Sequence, residues 1–269
     1  MPPQQHGAAA TATTRPHQDF LGCLLAPSAE VELGSQVIGV LSKVAVERGD
    51  HVKKGQVVAQ LIDDVERASY EAAAQRAANS ADIASARSAY EFAQKKADRA
   101  EELLAKNFIS SQARDQAVSE AKVAAMHYAQ TQEARVVARQ DMGVAKAQLN
   151  LRTITSPFNG VVVERYMSAG TRVEEKPIVK LVQIDPLRVE VVAPAARFNT
   201  IKSGSYASVT PDLPGMNTLR ARVTEVDAVV DAASNTFRVR LELPNPQEAV
   251  PSGLRCKINF DSDSSTGEE

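Results

Sequence analysis

The residues best suited to hold a metal ion are scattered along this chain. The four histidines, His6, His17, His51 and His127, have no second histidine or cysteine nearby at the spacing of a zinc site. The five methionines are equally dispersed, so the sulfur-rich clusters that bind soft metals are missing from the sequence. We therefore expect no resident metal.

The sequence also lacks the residue patterns that phosphate binding and covalent catalysis need. The sequence has no glycine-rich phosphate loop, no Gly-x-Ser-x-Gly turn and no cysteine paired with a histidine. A net charge of −2 and an aromatic content of 4% without tryptophan offer neither the positive field nor the stacking surfaces used to bind nucleic acid. The chain is predicted to be neither an enzyme nor a nucleic-acid-binding protein, and to carry no cofactor.

The most informative pattern is structural, because one short motif occurs twice. Gly39 to Leu61 reads GVLSKVAVERGDHVKKGQVVAQL, and Gly160 to Val182 reads GVVVERYMSAGTRVEEKPIVKLV. Aligned at an offset of 121 residues, the copies share core apolar positions and turn glycines such as Gly49 and Gly170. We predict that they are the two halves of one small β-module, separated by a long insertion.

The insertion has the periodicity of a coiled coil. The first predicted seam consists of Ile83, Ala86, Tyr90, Ala93, Ala97, Ala100 and Leu104. The second consists of Ala117, Ala121, Ala124, Tyr128, Thr131, Arg135, Ala138, Met142, Ala145 and Leu149, in which only Thr131 and Arg135 interrupt the apolar series. Two helices of about 40 residues, joined at residues 106–110, would form an antiparallel hairpin on the order of 60 Å long. No proline lies between Pro27 and Pro157, so nothing obliges either helix to kink.

After the second copy, short segments alternate apolar and polar residues between turn signals, which is typical of a small β-barrel. The fold class predicted is an elongated, multidomain α+β protein. Its expected parts are a disordered tail at 1–18, strands joining the barrel at 19–35, the first half-module at 36–64, the hairpin at 65–150, the second half-module at 151–185, the barrel at 186–262 and an acidic tail at 263–269.

This order of parts resembles the periplasmic adaptors, the HlyD-like membrane fusion proteins of tripartite efflux and secretion pumps. The resemblance runs from about Phe20 to Phe260 and rests on Gly39 to Gln56, on TITSPFNG at Thr153 to Gly160, and on VPSGL at Val250 to Leu254. It implies that the split module is a lipoyl-like, or barrel-sandwich hybrid, domain. It also implies a non-catalytic subunit that links an inner-membrane transporter, proton-driven or of the ABC type, to an outer-membrane channel.

In that family the hairpin tip meets the channel through an arginine, a leucine four residues on and a serine seven beyond it. Arg99, Leu103 and Ser110 stand at these intervals, so the resemblance implies that they contact the channel. The residues themselves allow another interpretation, in which Arg99 is solvated, Leu103 packs inside the hairpin and Ser110 only caps the second helix.

The resemblance further implies a homo-oligomer, a trimer or a hexamer, in the periplasm and associated with the inner membrane. The N-terminal MPPQQHGAAATATTRPHQ has neither the basic start nor the apolar core of a secretory signal. The longest apolar runs are far below the roughly 18 residues that cross a bilayer. We expect either that a signal or anchor has been removed or that the protein reaches its compartment by another route.

The two cysteines, Cys23 and Cys256, fall in strands that the resemblance implies to be neighbours in the barrel. A disulfide between them would close a loop of more than 230 residues in an oxidising compartment. Two buried free thiols are the alternative.

Two other functions stay open from the sequence. Lipoyl and biotinyl carriers share the module, but they carry a lysine where the two halves meet, whereas Lys53 and Lys54 lie in another turn and the insertion occupies that junction. A coiled-coil scaffold protein is the second alternative.

Overall fold

The computed structural model describes residues 21–260, so the two tails predicted at 1–18 and 263–269, like His6 and His17, lie outside the described residues. The strands are β1 (Leu21–Leu33), β2 (Gly39–Val44), β3 (His51–Val52), β4 (Val57–Leu61), β5 (Thr153–Thr155), β6 (Gly160–Arg165), β7 (Arg172–Val173), β8 (Val179–Pro194), β9 (Tyr206–Pro211), β10 (Leu219–Val226), β11 (Thr236–Leu243) and β12 (Arg255–Phe260). The α-helices are α1 (Asp64–Ala78), α2 (Ala81–Ala105) and α3 (Ser111–Asn150), and a short 3-10 turn covers Ala195–Arg197.

Six strands close into a barrel. The hydrogen-bonded order is β1, β12, β9, β10, β11 and β8, and β8 pairs again with β1. Along β11 the inward side chains alternate with exposed ones, so that Phe237, Val239, Leu241 and Leu243 are all buried in one aliphatic core. Closure through β1 means that residues from both ends of the described chain build this domain.

Two long strands, β1 and β8, run from the barrel into the split module. Their antiparallel pairing is irregular between Pro27 and Ala29. At this point the Arg188 guanidinium donates hydrogen bonds to the carbonyl oxygens of Pro27 (2.8 Å) and Ser28 (3.2 Å). These bonds satisfy carbonyl groups that the interrupted ladder leaves free, and they hold the two β domains together.

The two sequence copies form one body with internal twofold symmetry. Strand β2 of the first copy pairs with β7 of the second, with Gly39 opposite Val173, and β6 of the second pairs with β3 of the first, with Gly160 opposite Val52. The two pairings are equivalent, because the offset of 121 residues relates Gly39 to Gly160 and Val52 to Val173. The apolar side chains of both copies share a single buried core, so the prediction of one module made from two halves is confirmed.

Glycine is required at the symmetric turns. Gly49 and Gly170 have φ values of 92° and 86°, a region that L-residues rarely adopt. Gly49 donates its N–H to the Val162 carbonyl at 2.8 Å, and Gly170 donates to the Leu41 carbonyl at 2.8 Å. At Gly160, a Cβ atom would overlap the carbonyl oxygen of Val182. The need for glycine at Gly49, Gly160 and Gly170 is therefore explained by the backbone.

The insertion between the copies forms the predicted helical hairpin. Both helices of the first arm, α1 and α2, pack on α3. Every residue of the two predicted seams is buried or half-buried, so the coiled-coil interpretation and the α+β fold class are confirmed.

The prediction of a single helix of about 40 residues for the first arm is wrong, because Asn79 and Ser80 separate α1 from α2. Asn79 has extended backbone angles (φ −60°, ψ 121°), and its side-chain oxygen accepts a hydrogen bond from the Ala81 N–H at 3.0 Å. Asparagine and serine compete in this way with the helical hydrogen bonds, so a helix can end here without a proline.

Candidate partner-binding interface

The hairpin tip is a defined turn between α2 and α3. The N–H of Asn107 donates to the Leu104 carbonyl (2.8 Å), and that of Phe108 donates to the Leu103 carbonyl (2.9 Å). Asn107 has φ 56°, in the left-handed region that asparagine tolerates. The Ser110 hydroxyl then accepts a hydrogen bond from the Ala113 N–H at 3.2 Å and caps α3.

The structure places Arg99 and Leu103 one helical turn apart on α2, next to this turn. Arg99 is exposed and donates only to the Lys95 carbonyl (3.3 Å), with no ion pair to any described carboxylate. Leu103 is 40% exposed, whereas its neighbour Leu104 is half-buried and belongs to the seam. The alternative in which Leu103 packs inside the hairpin therefore has little support in the structure.

Phe108 is a tip residue that the sequence analysis did not select. Its side chain is 73% exposed at the end of the hairpin. The sequence did contain a signal for it, because an aromatic residue stands within the short polar break between the two helices. The exposed ring does not help to close the turn, so contact with a partner is the role left for it. Together, Arg99, Leu103 and Phe108 give the tip one cation and two apolar side chains that face solvent.

Below the tip, the arms approach closely because the seam is made of alanine. Ala97, Ala117 and Ala121 are buried against each other. The Lys96 ammonium bridges the arms to the Glu120 carboxylate at 2.6 Å, and this hydrogen bond holds the pKa of Glu120 below its ordinary value. Small buried residues and exposed charges thus set the spacing of the two arms.

An apolar line runs along α3 on the side away from the seam. It consists of Val123, Met126, Val137 and Val144, whose side chains are 54–60% exposed. At 100° per residue, these four positions fall within about 60° of each other and opposite the seam. Exposed apolar residues arranged along one helix face are typical of a surface that meets another protein.

Polar contacts that are partly buried hold the base of the hairpin next to the module. Asp63, which is 8% exposed, accepts hydrogen bonds from the Arg67 guanidinium at 2.8 and 3.0 Å. The Arg67 contact is the main cause that lowers the pKa of Asp63. Arg152, at the end of the second arm, donates to Glu66 (2.6 Å) and to the Ile38 carbonyl (3.3 Å). Both arms therefore enter the module at one anchored point.

Cys23 and Cys256 lie opposite each other on β1 and β12. Their Cα atoms are 4.8 Å apart, and their sulfur atoms are bonded across a sequence separation of 233 residues. The bond joins the first and last strands of the barrel.

No metal or cofactor attachment site emerges from the described residues. Within residues 21–260, no group of three histidine, cysteine or carboxylate side chains is arranged to hold a metal ion. Lys53 and Lys54 lie in the turn between β3 and β4, while α1 and α3 occupy the junction where carriers present their lysine. Across the same range, no helix combines the length and the apolar character needed to cross a membrane.

Two family profiles match this chain over adjoining regions. Residues 29–183, more than half of the chain, match the CzcB-like barrel-sandwich hybrid domain. Residues 187–264 match the CusB-like β-barrel domain. The boundary between the matches falls within β8, where the chain passes from the module into the barrel.

Proteins with related sequences span nearly the whole chain. The multidrug efflux pump subunit AcrA of Escherichia coli K12 is 24% identical over 249 residues, which are 86% of this chain and 58% of AcrA. The macrolide export protein MacA of Yersinia pestis is 28% identical over 247 residues, 86% of this chain and 64% of MacA. The chain thus spans less than two thirds of the length of either relative.

A solved structure has the same fold. The crystal structure of MacA from Actinobacillus actinomycetemcomitans superposes with a TM-score of 0.71 at 20% sequence identity. The superposition covers 90% of this chain and 77% of that protein.

Proposed function

Because this chain belongs to the CzcB-like barrel-sandwich hybrid family of membrane fusion proteins, whose members are non-enzymatic periplasmic adaptors, we propose that it links an inner-membrane transporter to an outer-membrane channel in a tripartite export system. The chain itself catalyses no reaction in this proposal. The transporter is proton-driven or of the ABC type.

The observation that carries this proposal is the way one body is built from both sides of the insertion. The twofold pairing of β2 with β7 and β6 with β3 closes the module, and the helices leave it at a single anchored base. A hairpin held in this manner places its tip away from the β domains. The fold therefore suits a spacer between two partners better than it suits a catalyst.

The relatives support an export role. AcrA is a subunit of a multidrug efflux pump, and MacA is a macrolide export protein. Their names describe several cargoes, so the proposal for this chain concerns export as a process and commits to no substrate.

The tip is proposed to dock on the outer-membrane channel. Arg99 offers an unpaired guanidinium, Leu103 an apolar side chain on the same helix face, and Ser110 fixes the start of α3 beside them. Phe108 adds a large exposed apolar surface at the same end. A channel end with carboxylates and apolar grooves would complement this set.

We also propose that copies of the chain assemble into a trimer or hexamer. The apolar line of Val123, Met126, Val137 and Val144 would be covered by the hairpin of a neighbouring copy. A single tip presents a small surface, and several tips bound at once multiply the effective affinity without any new contact. Assembly would thereby compensate for the weak binding expected of a single tip.

The proposed location is the periplasm, at the face of the inner membrane. The pairing of Cys23 with Cys256 suits an oxidising compartment, where a bond of this kind would persist. It would stabilise the barrel chiefly by restricting the unfolded chain.

A double substitution at the tip tests the proposal. A deletion strain of the source bacterium is complemented with the wild-type chain or with Arg99→Glu combined with Leu103→Ala. Susceptibility is then measured across a panel of antibiotics, dyes and metal salts. We expect the double variant to fall to the level of the deletion strain, because charge reversal and truncation remove both tip contacts.

The matched control carries Arg139→Glu with Val136→Ala, the same two kinds of change at exposed mid-hairpin positions. It should retain protection, and immunoblots should show equal amounts of all three proteins. Unaltered export in the tip variant would remove the tip assignment. A wild-type chain that protects against no compound in the panel would contradict the export role itself.

A further inference from the structure

A cavity that is partly open to solvent lies between the helices at the level of the break in the first arm. Between α1, α2 and α3 there is a space of about 370 Å³. Residues of the first arm that line it include Arg76, Asn79 and Asp82, and residues of α3 that line it include His127, Thr131 and Arg135. The volume is several times that of a water molecule, so the cavity has room for a small ion with part of its hydration shell.

The two residues that interrupt the apolar seam of α3 both face this cavity. Thr131 and Arg135 occupy positions that elsewhere in the second seam hold alanine, leucine, methionine or tyrosine. A cation at a coiled-coil seam lowers stability unless something compensates for its burial. The break in the opposite arm and the two polar seam residues therefore occur at the same level of the hairpin.

Arg135 is only partly satisfied within the described chain. The residue is half-buried, and its Nε atom is buried without a hydrogen-bond partner among residues 21–260. A buried N–H left without an acceptor costs about 1–3 kcal/mol, and more for a charged group. Arg135 thus lines the cavity while one N–H of its guanidinium group is unpaired.

The charges around the cavity leave it positive. Arg76 and Arg135 form no ion pair with any carboxylate in the described part of the chain, and Asp82 is the one acidic residue of the lining. By contrast, Arg67, Arg87 and Arg114 of the same hairpin each have a carboxylate within 3.0 Å. Two guanidinium groups face the cavity against a single aspartate.

We infer that this cavity binds a small inorganic oxyanion, phosphate or sulfate, between Arg135 of α3 and Arg76 of α1. Guanidinium groups present paired N–H donors that match the oxygen spacing of such anions. A bound anion would accept hydrogen bonds from both guanidinium groups and would connect α1 to α3 across the break. The ion would thus stiffen the arm at the point where the helix is interrupted.

The test measures anion binding to the purified chain. Sodium phosphate and sodium sulfate are titrated by calorimetry, with sodium chloride used to keep the ionic strength constant. We expect saturable binding of one anion per chain and a rise in the thermal midpoint that saturates over the same concentrations. Chloride at equal ionic strength should produce neither effect.

Arg135→Gln is expected to weaken binding by about tenfold or more, since it removes a charge-assisted bidentate contact. Arg76→Gln, on the other arm, should also weaken it, and this variant keeps the test informative if Arg135→Gln disturbs the fold. The matched control is Arg139→Gln, which removes the same charge from an exposed position one turn along α3 and outside the cavity. It should bind like the wild-type chain.

Equal affinity in the wild-type, Arg135→Gln and Arg76→Gln proteins would overturn the inference. So would a response to phosphate and sulfate that rises without saturation and is the same in the Arg139→Gln control, because that result indicates general salt effects. The assay uses no partner protein and no export, so its outcome is independent of the adaptor proposal.

Discussion

The β domains and the hairpin are stabilised by different kinds of core. The barrel and the module bury large side chains such as Phe237, Leu25, Leu61 and Leu181. In the helices, the buried apolar residues of the described chain are all alanines. Several large apolar residues of the hairpin outside the seams, including Phe92, are instead exposed. The β domains therefore have cores of large side chains, whereas the hairpin has a core of small ones and exposes apolar surface to a partner.

The largest expected effect follows from removing a large side chain from the barrel. Phe237 is 2% exposed and packs edge-on against Phe198, with ring centroids 5.3 Å apart. Phe237→Ala should lower the free energy of unfolding by about 3–5 kcal/mol, because it leaves a cavity that the sheet cannot fill. Urea denaturation followed by circular dichroism measures the change.

The control for this prediction makes the same substitution on the hairpin. Phe92 is 68% exposed, so Phe92→Ala should change the free energy of unfolding by about 0.5 kcal/mol or less. Similar losses in the two variants would contradict the proposed difference between the regions.

The hairpin should instead be sensitive to added volume. Ala121 is buried together with Ala97 and Ala117 between α2 and α3, and Ala121→Leu would push the arms apart at a cost of about 1–3 kcal/mol. Ala147→Leu, at an exposed position of the same helix, should be almost neutral. Local hydrogen exchange of the α2 and α3 amides measures both effects, and equal protection in the two variants would show that the seam is not closely packed.

The sequence predicted the parts of the fold that repeat or alternate. The shared glycines identified the two half-modules, since Gly49 and Gly170 fill equivalent turns with positive φ. The heptad pattern identified the seams, because a coiled coil requires small or apolar residues at regular spacing. Ser110 was predicted to cap α3 because a serine hydroxyl can accept a hydrogen bond from a free N–H at the start of a helix.

The features that the sequence did not predict have two causes. Some depend on side chains that compete with the backbone for hydrogen bonds, and others depend on contacts between residues far apart in the sequence. The break at Asn79 arises because one side chain bonds to a nearby N–H, and asparagine occurs in intact helices as well. The burial of the Arg135 Nε atom depends on the folded structure and cannot be derived from the heptad pattern. At the candidate interface, Arg99 and Leu103 came from a family resemblance, whereas the exposure of Phe108 required the fold.

Site-specific photo-crosslinking from the tip tests the central claim most directly. A photoreactive amino acid is placed at Leu103 in living cells, with Gln140, an exposed mid-hairpin residue, as the reference position. The adaptor account predicts that position 103 captures an outer-membrane channel protein and that position 140 does not. Capture of only cytosolic proteins from position 103, or of the same proteins from both positions, would contradict it.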